Sequence, residues 1–563
     1  MDFLSNLSLH ERKLIVGIDF GTTFSGIAWA ETRRVDHHSV IETWPSRLGV
    51  SEGISSAKAP TELRYTPQGT EWGFQIPATA DRHQWFKVGI DNKKLALAND
   101  QQKSPEQLAT DYLSQLYGHL MYTLEQQVGA AILRTIPLEF CITVPAIWSE
   151  ASKEKTLKAC EKAGIKSASK ILLVSEPEAA AIYALKGLDP HGLNIGDSFV
   201  LCDAGGGTVD LISYTITQLH PILKVKEAAE GTGGMCGSTF LNRRFGEFLT
   251  TRLGKEPGWD SEILAEAMER FDSVIKKQYA PTTASDDGYS IMVPGLANNP
   301  KLGIRRGRFT VKPAEMKSIF EPIIIKVIDL VRDQIKASNK EIRAVLLVGG
   351  FGQNNYLKER LRGSLGGVEV LQPPNAWTAI VRGAVLMGLS NANSKLAAVS
   401  VVSRAARKHY GTELVVDFVP GVHNQSQKFW SDIYKCFRVN AMKWFIHKRD
   451  AVEENKPHSV NFVSDHLVSD GTPKKVQLTI YACSVGVKAP VHRSENVQPL
   501  VSLSADLSHL SEATLKSTIT KRSDGKSYYS INGSVEATFY SASTKYVLLS
   551  HGKRYDTVTA EYV

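Results

Sequence analysis

Residues 14–30, LIVGIDFGTTFSGIAWA, and residues 198–214, SFVLCDAGGGTVDLISY, carry one and the same reading. Each is an apolar strand that ends in an aspartate, Asp19 or Asp203, followed by a Gly/Thr-rich turn and a second alternating strand. The pattern predicts a β-hairpin whose tip presents a carboxylate, hydroxyls and bare backbone. With no Cβ in the way, consecutive N–H groups can converge on an anion. Two such tips facing each other would clamp a polyphosphate, with Asp19 and Asp203 placed to hold its magnesium. A second copy of the signature in the same register predicts a duplicated nucleotide-binding fold.

The rest of the chain is consistent with a large globular protein. At 563 residues it is too long for one hydrophobic core, so several domains are expected. Hydrophobic residues make up 42% and charged residues 22%, an ordinary balance that argues against a disordered or fibrous chain. No apolar run reaches the roughly 18–20 residues needed to cross a bilayer, so no membrane insertion is expected. His10, Glu11, Arg12 and Lys13 precede the first strand, which is not the order of a secretory signal, and the expected location is the cytoplasm or nucleus. The six cysteines are scattered, none as CxxC, and read as reduced and buried. Residues 391–563 hold 22 Lys/Arg against 15 Asp/Glu, so nearly all of the net charge of +8 lies there. That excess reads either as a solvated basic surface or as a face for acidic partners. No nucleic-acid partner is expected.

Residues 1–390 alternate between strands and helices. A helix is expected over about 104–130, opened by Ser104-Pro105-Glu106 as N-cap and N1 proline. EFCITVP (139–145) is a buried strand, 149–163 a helix, and ILLVSEPEAAAIYAL (171–185) a strand, a turn and an Ala-rich helix. After the second hairpin, residues 231–312 read as an insertion, with a helical stretch over 241–280. A long helix follows at 313–338, then the strand AVLLVGGFG (344–352) and a small-residue helix over 376–389. Residues 391–407 read as a linker. From 408 onward, period-two alternation punctuated by turns predicts an all-β module, with no long amphipathic helix after residue 450.

GIDFGTTFSG, ITVPA, SEPEAAAIYAL, DAGGGTVDL and LLVGGFG occur in that order. Together they resemble the ATPase domain of the 70-kDa heat-shock protein (DnaK) family, across residues 14 to about 390. WFKVGID, and KHYG followed by WFIHK, resemble the divergent, lidless branch found in fungi and animals. The resemblance implies an α/β fold: a duplicated, ribonuclease-H-like, two-lobed actin/heat-shock ATPase domain, followed by the β-rich C-terminal domain. It implies ATP/ADP and Mg²⁺ as ligands, with Asp19 and Asp203 on the metal side. Gly21, Thr22, Thr23 and Phe24 match the first phosphate loop, with Phe24 where the family usually has tyrosine. Gly205, Gly206, Gly207 and Thr208 match the second, and Asp210 supports the metal shell. Glu176 and Asp203 match carboxylates that position the lytic water, Thr208 a γ-phosphate contact, and Lys87 the lysine that stabilises the γ-phosphate. Gly349 and Gly350 would let adenosine approach the backbone.

The chain also departs from the family. Gln353 stands where an arginine usually flanks the adenine, and Ser238-Thr239 where an acidic pair is usual. Lys276 and Lys277 lie on the helix expected to face the ribose. The acidic-leucine linker, the helical lid and the acidic tail for co-chaperones have no counterpart. Trp430, Trp444 and Phe445 read either as a peptide cleft or as core aromatics of the β-module. The function implied is a slow, chaperone-like ATPase whose nucleotide state modulates binding of a partner or peptide client by the β-module. The competing readings are a small-molecule kinase of the same superfamily and a non-hydrolysing nucleotide sensor or scaffold.

Overall fold

The computed structural model describes residues 12–47, 49–77, 79–91, 103–188, 193–280, 288–454, 456–508, 510–550, 553–555 and 559–562. The chain divides into two compact units, Met1–Ser400 and Val401–Val563.

The first unit is built on two sheets of matching topology. In one, Leu14–Asp19 lies antiparallel to its hairpin partner Phe24–Glu31, with Asp19 opposite Gly26. On its other side it lies parallel to Leu138–Val144, Ile18 opposite Ile142. Leu172–Ser175 and Ser39–Val40 close the two ends. In the other, Ser198–Ala204 pairs antiparallel with Val209–Gln218, Asp203 opposite Asp210, and parallel with Ile342–Val348. Glu369–Leu371 and Leu223–Gly234 flank these three strands. Order and direction are the same in both, as two copies of one unit require. All of Leu14–Asp19 and Ser198–Ala204 is buried, which is why these central strands read as continuous apolar runs rather than alternating ones.

Several helices begin or end where a cap places them. Pro105–Val128 starts at Ser104, whose hydroxyl accepts from Gln107 N while the Gln107 side chain accepts from Ser104 N, a reciprocal capping box. Glu150–Lys162 starts at Ser149, and Pro313–Ser338 stops at Asn339, which is left-handed with φ 49°. The single helical stretch expected over 241–280 is a misreading. It is two helices, Thr239–Leu253 and Ser261–Arg270, followed by a π-helical turn, Phe271–Ile275, and a last short turn, Lys276–Gln278. Gly254, Pro257 and Gly258 (φ 89°) interrupt the helix, and Asp260 restarts it by accepting from Ile263 N.

The second unit contains two antiparallel sheets. Phe429–Ser431, Cys436–Ile446, His409–Asp417, Lys475–Cys483, Val497–Asp506 and Thr559–Tyr562 form the first, in that order. His458–Leu467, Ser527–Phe539, Thr544–Ser550 and Lys553–Tyr555 form the second, with Ile519–Lys521 beside Ser527–Phe539. Val460, Ile531 and Val535 of one sheet share a core with Ile480, Val501 and Leu503 of the other, the arrangement of a β-sandwich. Within the stretch 391–407, Val399–Ala405 is a strand and pairs with Ala451–Glu453. The described helix after residue 450 is the short Glu512–Lys516.

The last helix of the first unit, Ala379–Ala392, packs with no room for a side chain at two glycines. A Cβ at Gly383 would lie 1.8 Å from the carbonyl oxygen of Ala179, on the helix Glu176–Leu188. A Cβ at Gly388 would lie 2.4 Å from Ile15 Cγ2 and 2.5 Å from Cys141 Sγ. Gly383→Ala is therefore expected to destabilise the chain by about 1–3 kcal/mol through overpacking. Gly118, exposed in the middle of Pro105–Val128 with nothing within 4 Å of a built Cβ, provides the contrast. Gly118→Ala should stabilise by about 0.5–1 kcal/mol from helix propensity alone. Urea unfolding midpoints of the two variants test both signs.

Candidate functional site

The two hairpin tips meet. A Cβ on Gly206 would fall 2.1 Å from Thr23 Oγ1, and one on Gly207 2.9 Å from Thr22 Oγ1, so the second loop can face the first only with bare backbone. Each tip is braced from behind. In the first, Gly21 N donates to Ser25 Oγ, Ser25 and Thr61 hydroxyls lie 2.8 Å apart, and Thr61 N donates to Thr23 O. Phe24 packs edge-on against Trp377, ring centroids 5.8 Å apart. In the second, Gly205 N donates to Thr208 O across the turn. Ser238 N donates to Gly205 O, while Thr239 donates to Gly206 O through both its N–H and its hydroxyl. The positions that lack the family's acidic pair thus hold the second loop by hydrogen bonds.

Four carboxylates and two ammonium groups are buried together under these loops. Asp19, Asp203 and Asp210 are 1%, 3% and 1% exposed, and Glu176 is 6% exposed. Lys87, 1% exposed at the start of the helix Phe86–Asp91, donates to Glu176 Oε1 at 2.5 Å. Its ammonium also lies over the rings of Phe20 and Trp148, 5.6 and 5.5 Å from their centroids. Asp19 accepts from Thr143 Oγ1 at 3.3 Å through one oxygen. Through the other it accepts from Lys58 Nζ at 2.5 Å.

Lys58 escapes the sequence reading, because nothing in SSAKAP marks it and its partner lies 39 residues away. The signal that would have found it is Gly26, opposite Asp19 in the hairpin. A Cβ there would lie 3.1 Å from Lys58 Cγ, so the lysine stem crosses the strand at the glycine to reach the aspartate.

Crowding sets the electrostatics. Burial, then Asp19 and Asp210, push the Glu176 carboxyl up to about 7, against the pull of Lys87. Asp203 is raised well above the usual carboxylate range, by burial first and then by Glu176, Asp210 and Asp19, with Lys58 opposing. Asp203 Oδ1 is buried without a hydrogen-bond partner among the described residues. An orphaned carboxylate oxygen in a site with more negative than positive groups suits a hard divalent cation. Among the described residues no three His, Cys, Asp or Glu side chains converge to ligate a metal directly. The orphaned Asp203 oxygen fits an ion that keeps most of its waters and leans on one or two carboxylates, as Mg²⁺ does.

The turn after Ile342–Val348 closes the site. Gly349, at φ 85°, is left-handed, and a Cβ on it would fall 2.5 Å from Asp203 Oδ1. Gly350 lies beside the indole of Trp377. Gln353 is exposed on the following 3-10 turn. Asn354 ties this turn to the neighbouring helical segment by donating to Lys276 O at 2.7 Å. Lys276 is engaged by Asp272 of the preceding turn and by Asn242 of the helix Thr239–Leu253, and Lys277 is exposed. In the second unit the three aromatics separate. Trp430 is 51% exposed with Phe437 edge-on to it, whereas Trp444 donates to Pro490 O and Phe445 packs onto the core.

A family model described as Hsp70 protein matches residues 68–400. Heat shock 70 kDa protein 12A of Homo sapiens is 24% identical over 518 residues, covering 74% of this chain and 75% of that protein. Heat shock 70 kDa protein 12B of Homo sapiens is 24% identical over 534 residues, covering 75% of each. Chaperone protein DnaK of Deinococcus proteolyticus is 25% identical over 411 residues, covering 69% of this chain and 61% of that protein.

The Lys87–Glu176 pair yields a test of the charge bookkeeping. Glu176 holds its proton more tightly folded than unfolded, so its contribution to stability is fully present below about pH 4.5 and is lost as pH rises through about 7. Lys87→Met removes the pull that opposes burial and drives the Glu176 carboxyl higher still, so the variant should lose more stability at about pH 8, where keeping Glu176 buried requires it to hold a proton, than at about pH 6. Lys87→Met/Glu176→Gln should recover most of the loss. Urea unfolding of the three proteins at both pH values measures it.

Proposed function

The chain belongs to the Hsp70 protein family, and from that premise we propose that it is a slow ATP-hydrolysing, chaperone-like protein whose nucleotide state governs partner binding by its β-rich unit. The observation that carries the reading is the meeting of two glycine/threonine tips over four buried carboxylates and two buried ammonium groups.

In this reading Gly21, Thr22 and Thr23 present N–H and hydroxyl groups to the β- and γ-phosphates from one side. Gly205, Gly206, Gly207 and Thr208 do so from the other, and Phe24 contributes backbone only. The loops are fixed before the ligand arrives, by Ser25 and Thr61 in one case and by Ser238 and Thr239 in the other. Positioning and charge neutralisation, rather than covalent chemistry, are what phosphoryl transfer demands. Asp19 and Asp203 would hold the waters of a magnesium ion, with Asp210 behind them. The ion, when bound, supplies charge to the phosphate oxygens as a Lewis acid. Lys87, already buried and desolvated, offsets the negative charge that develops on the γ-phosphate. Glu176, pushed up to about 7, and Asp203, raised well above the usual carboxylate range by burial, are the carboxylates that would orient the attacking water and accept its proton. Gly349 and Gly350 leave room for adenosine, and the Asp272–Lys276 pair with Asn354 forms the wall beside them.

The β-sandwich is proposed as the partner-binding part. Support comes from the exposed aromatic hairpin, where Phe429, Trp430 and Phe437 are 42%, 51% and 46% exposed, a face suited to apolar side chains of a peptide client. A relative named chaperone protein DnaK supports the chaperone reading.

A second reading, a nucleotide sensor without turnover, draws on one observation: Lys58 occupies an oxygen of Asp19 that the metal side would otherwise use. Titration calorimetry with ATP and ADP, with and without Mg²⁺, followed by phosphate release on the same sample, separates the two. Magnesium-dependent binding with slow turnover is the expected result. Asp203→Asn should keep ATP affinity within about tenfold while lowering turnover by at least about a hundredfold. Undiminished turnover in that variant would remove Asp203 from the reaction, and binding with no turnover in the natural chain would favour the sensor.

A further inference from the structure

We propose that Lys58 is a cation built into the phosphate site, a tethered ammonium that stands on Asp19 and does there what a free monovalent cation could do. The proposal rests on the reading of Asp19 as a phosphate-side carboxylate, and it adds a positioning residue that neither the motifs nor the relatives assign.

The lysine is held for this purpose along its whole length. Its backbone segment is stapled to the first loop: Ala59 and Pro60 pair with Ser25 and Phe24, and Thr61 bonds to Thr23 and Ser25. Ser56 fixes the turn before it, its hydroxyl donating to Lys58 O. The stem then crosses the hairpin at Gly26, and the ammonium reaches Asp19 Oδ2 at 2.5 Å with the side chain 5% exposed. Its charge also acts on Asp203 across the site. An ammonium group is a monovalent ion with a tether, able to donate three hydrogen bonds, of which Asp19 takes one. The remaining donors have phosphate oxygens as natural acceptors once a nucleotide lies between the loops. Lys87 serves a different carboxylate, Glu176, so the two lysines divide the cluster between them.

The consequence is that the chain should be indifferent to the identity of the monovalent salt, and that removing the tether should make it dependent. The experiment compares the full natural chain with Lys58→Ala in matched chloride salts of ammonium, potassium and the bulky N-methyl-D-glucamine, all with Mg²⁺. Three quantities are read: ADP affinity, phosphate release and the urea midpoint. The natural chain is expected to vary by less than about twofold across the salts. Lys58→Ala is expected to lose at least about tenfold in ADP affinity in N-methyl-D-glucamine and to recover half or more of the loss in ammonium. Its urea midpoint should rise in ammonium relative to N-methyl-D-glucamine, a difference absent from the natural chain. Should Lys58→Ala fold poorly, Lys58→Met, which keeps the stem, is run alongside and should show the loss without the ammonium rescue. A natural chain that depends strongly on the salt, or a Lys58→Ala loss that no small cation repairs, overturns the proposal. Absence of turnover in every sample would count against hydrolysis as the function, while affinity and unfolding would still decide the role of Lys58.

Discussion

Everything in the first unit depends on keeping four carboxylates out of water within reach of one another. Such a cluster is unfavourable unless cations share the space, since a buried charge without a partner costs several kcal/mol. Lys58 and Lys87 supply part of the compensation, each bonded to one carboxylate at 2.5 Å. The rest is left as raised proton affinity on Glu176 and Asp203. The groups that crowd one another here are those that a metal–phosphate ligand, in the function proposed above, would neutralise.

The duplicated sheet was legible because its signal is local. An aspartate, a glycine-rich turn and an alternating return strand fit within 17 residues, and the geometry of a hairpin follows from that span. The helix termini at Ser104, Ser149 and Pro313 were legible for the same reason, since a cap is a contact between residues three apart. Lys58 was not legible, because a lysine is anonymous until its partner is known. The break at Gly254–Asp260 carried turn residues in plain sight, but the helical periodicity on either side outweighed them.

In the β-sandwich the alternation identified strands but not their neighbours. His458–Leu467 pairs with Ser527–Phe539, about seventy residues further on, and His409–Asp417 lies between Cys436–Ile446 and Lys475–Cys483. Pairings of that range follow from which faces can be buried together, which no short window of sequence records. The same limit applies to Trp430, Trp444 and Phe445. All three are aromatic in strands, yet one faces solvent and the other two are packed, and only the register of Phe429–Ser431 and Cys436–Ile446 decides between them.

The bare contact between Gly383 and Ala179 has a mechanical side. Glu176 is the first residue of the helix that carries Ala179, and the helix carrying Gly383 runs on, through a 3-10 turn, into Val399–Ala405. Side chains between two helices act as springs that absorb small displacements by changing rotamer. Here backbone meets backbone, and the spring is missing. At that point the two helices can change their spacing only by moving backbone, which makes Gly383–Ala179 a stiff contact between the helix that begins at Glu176 and the helix that leads towards Val399–Ala405.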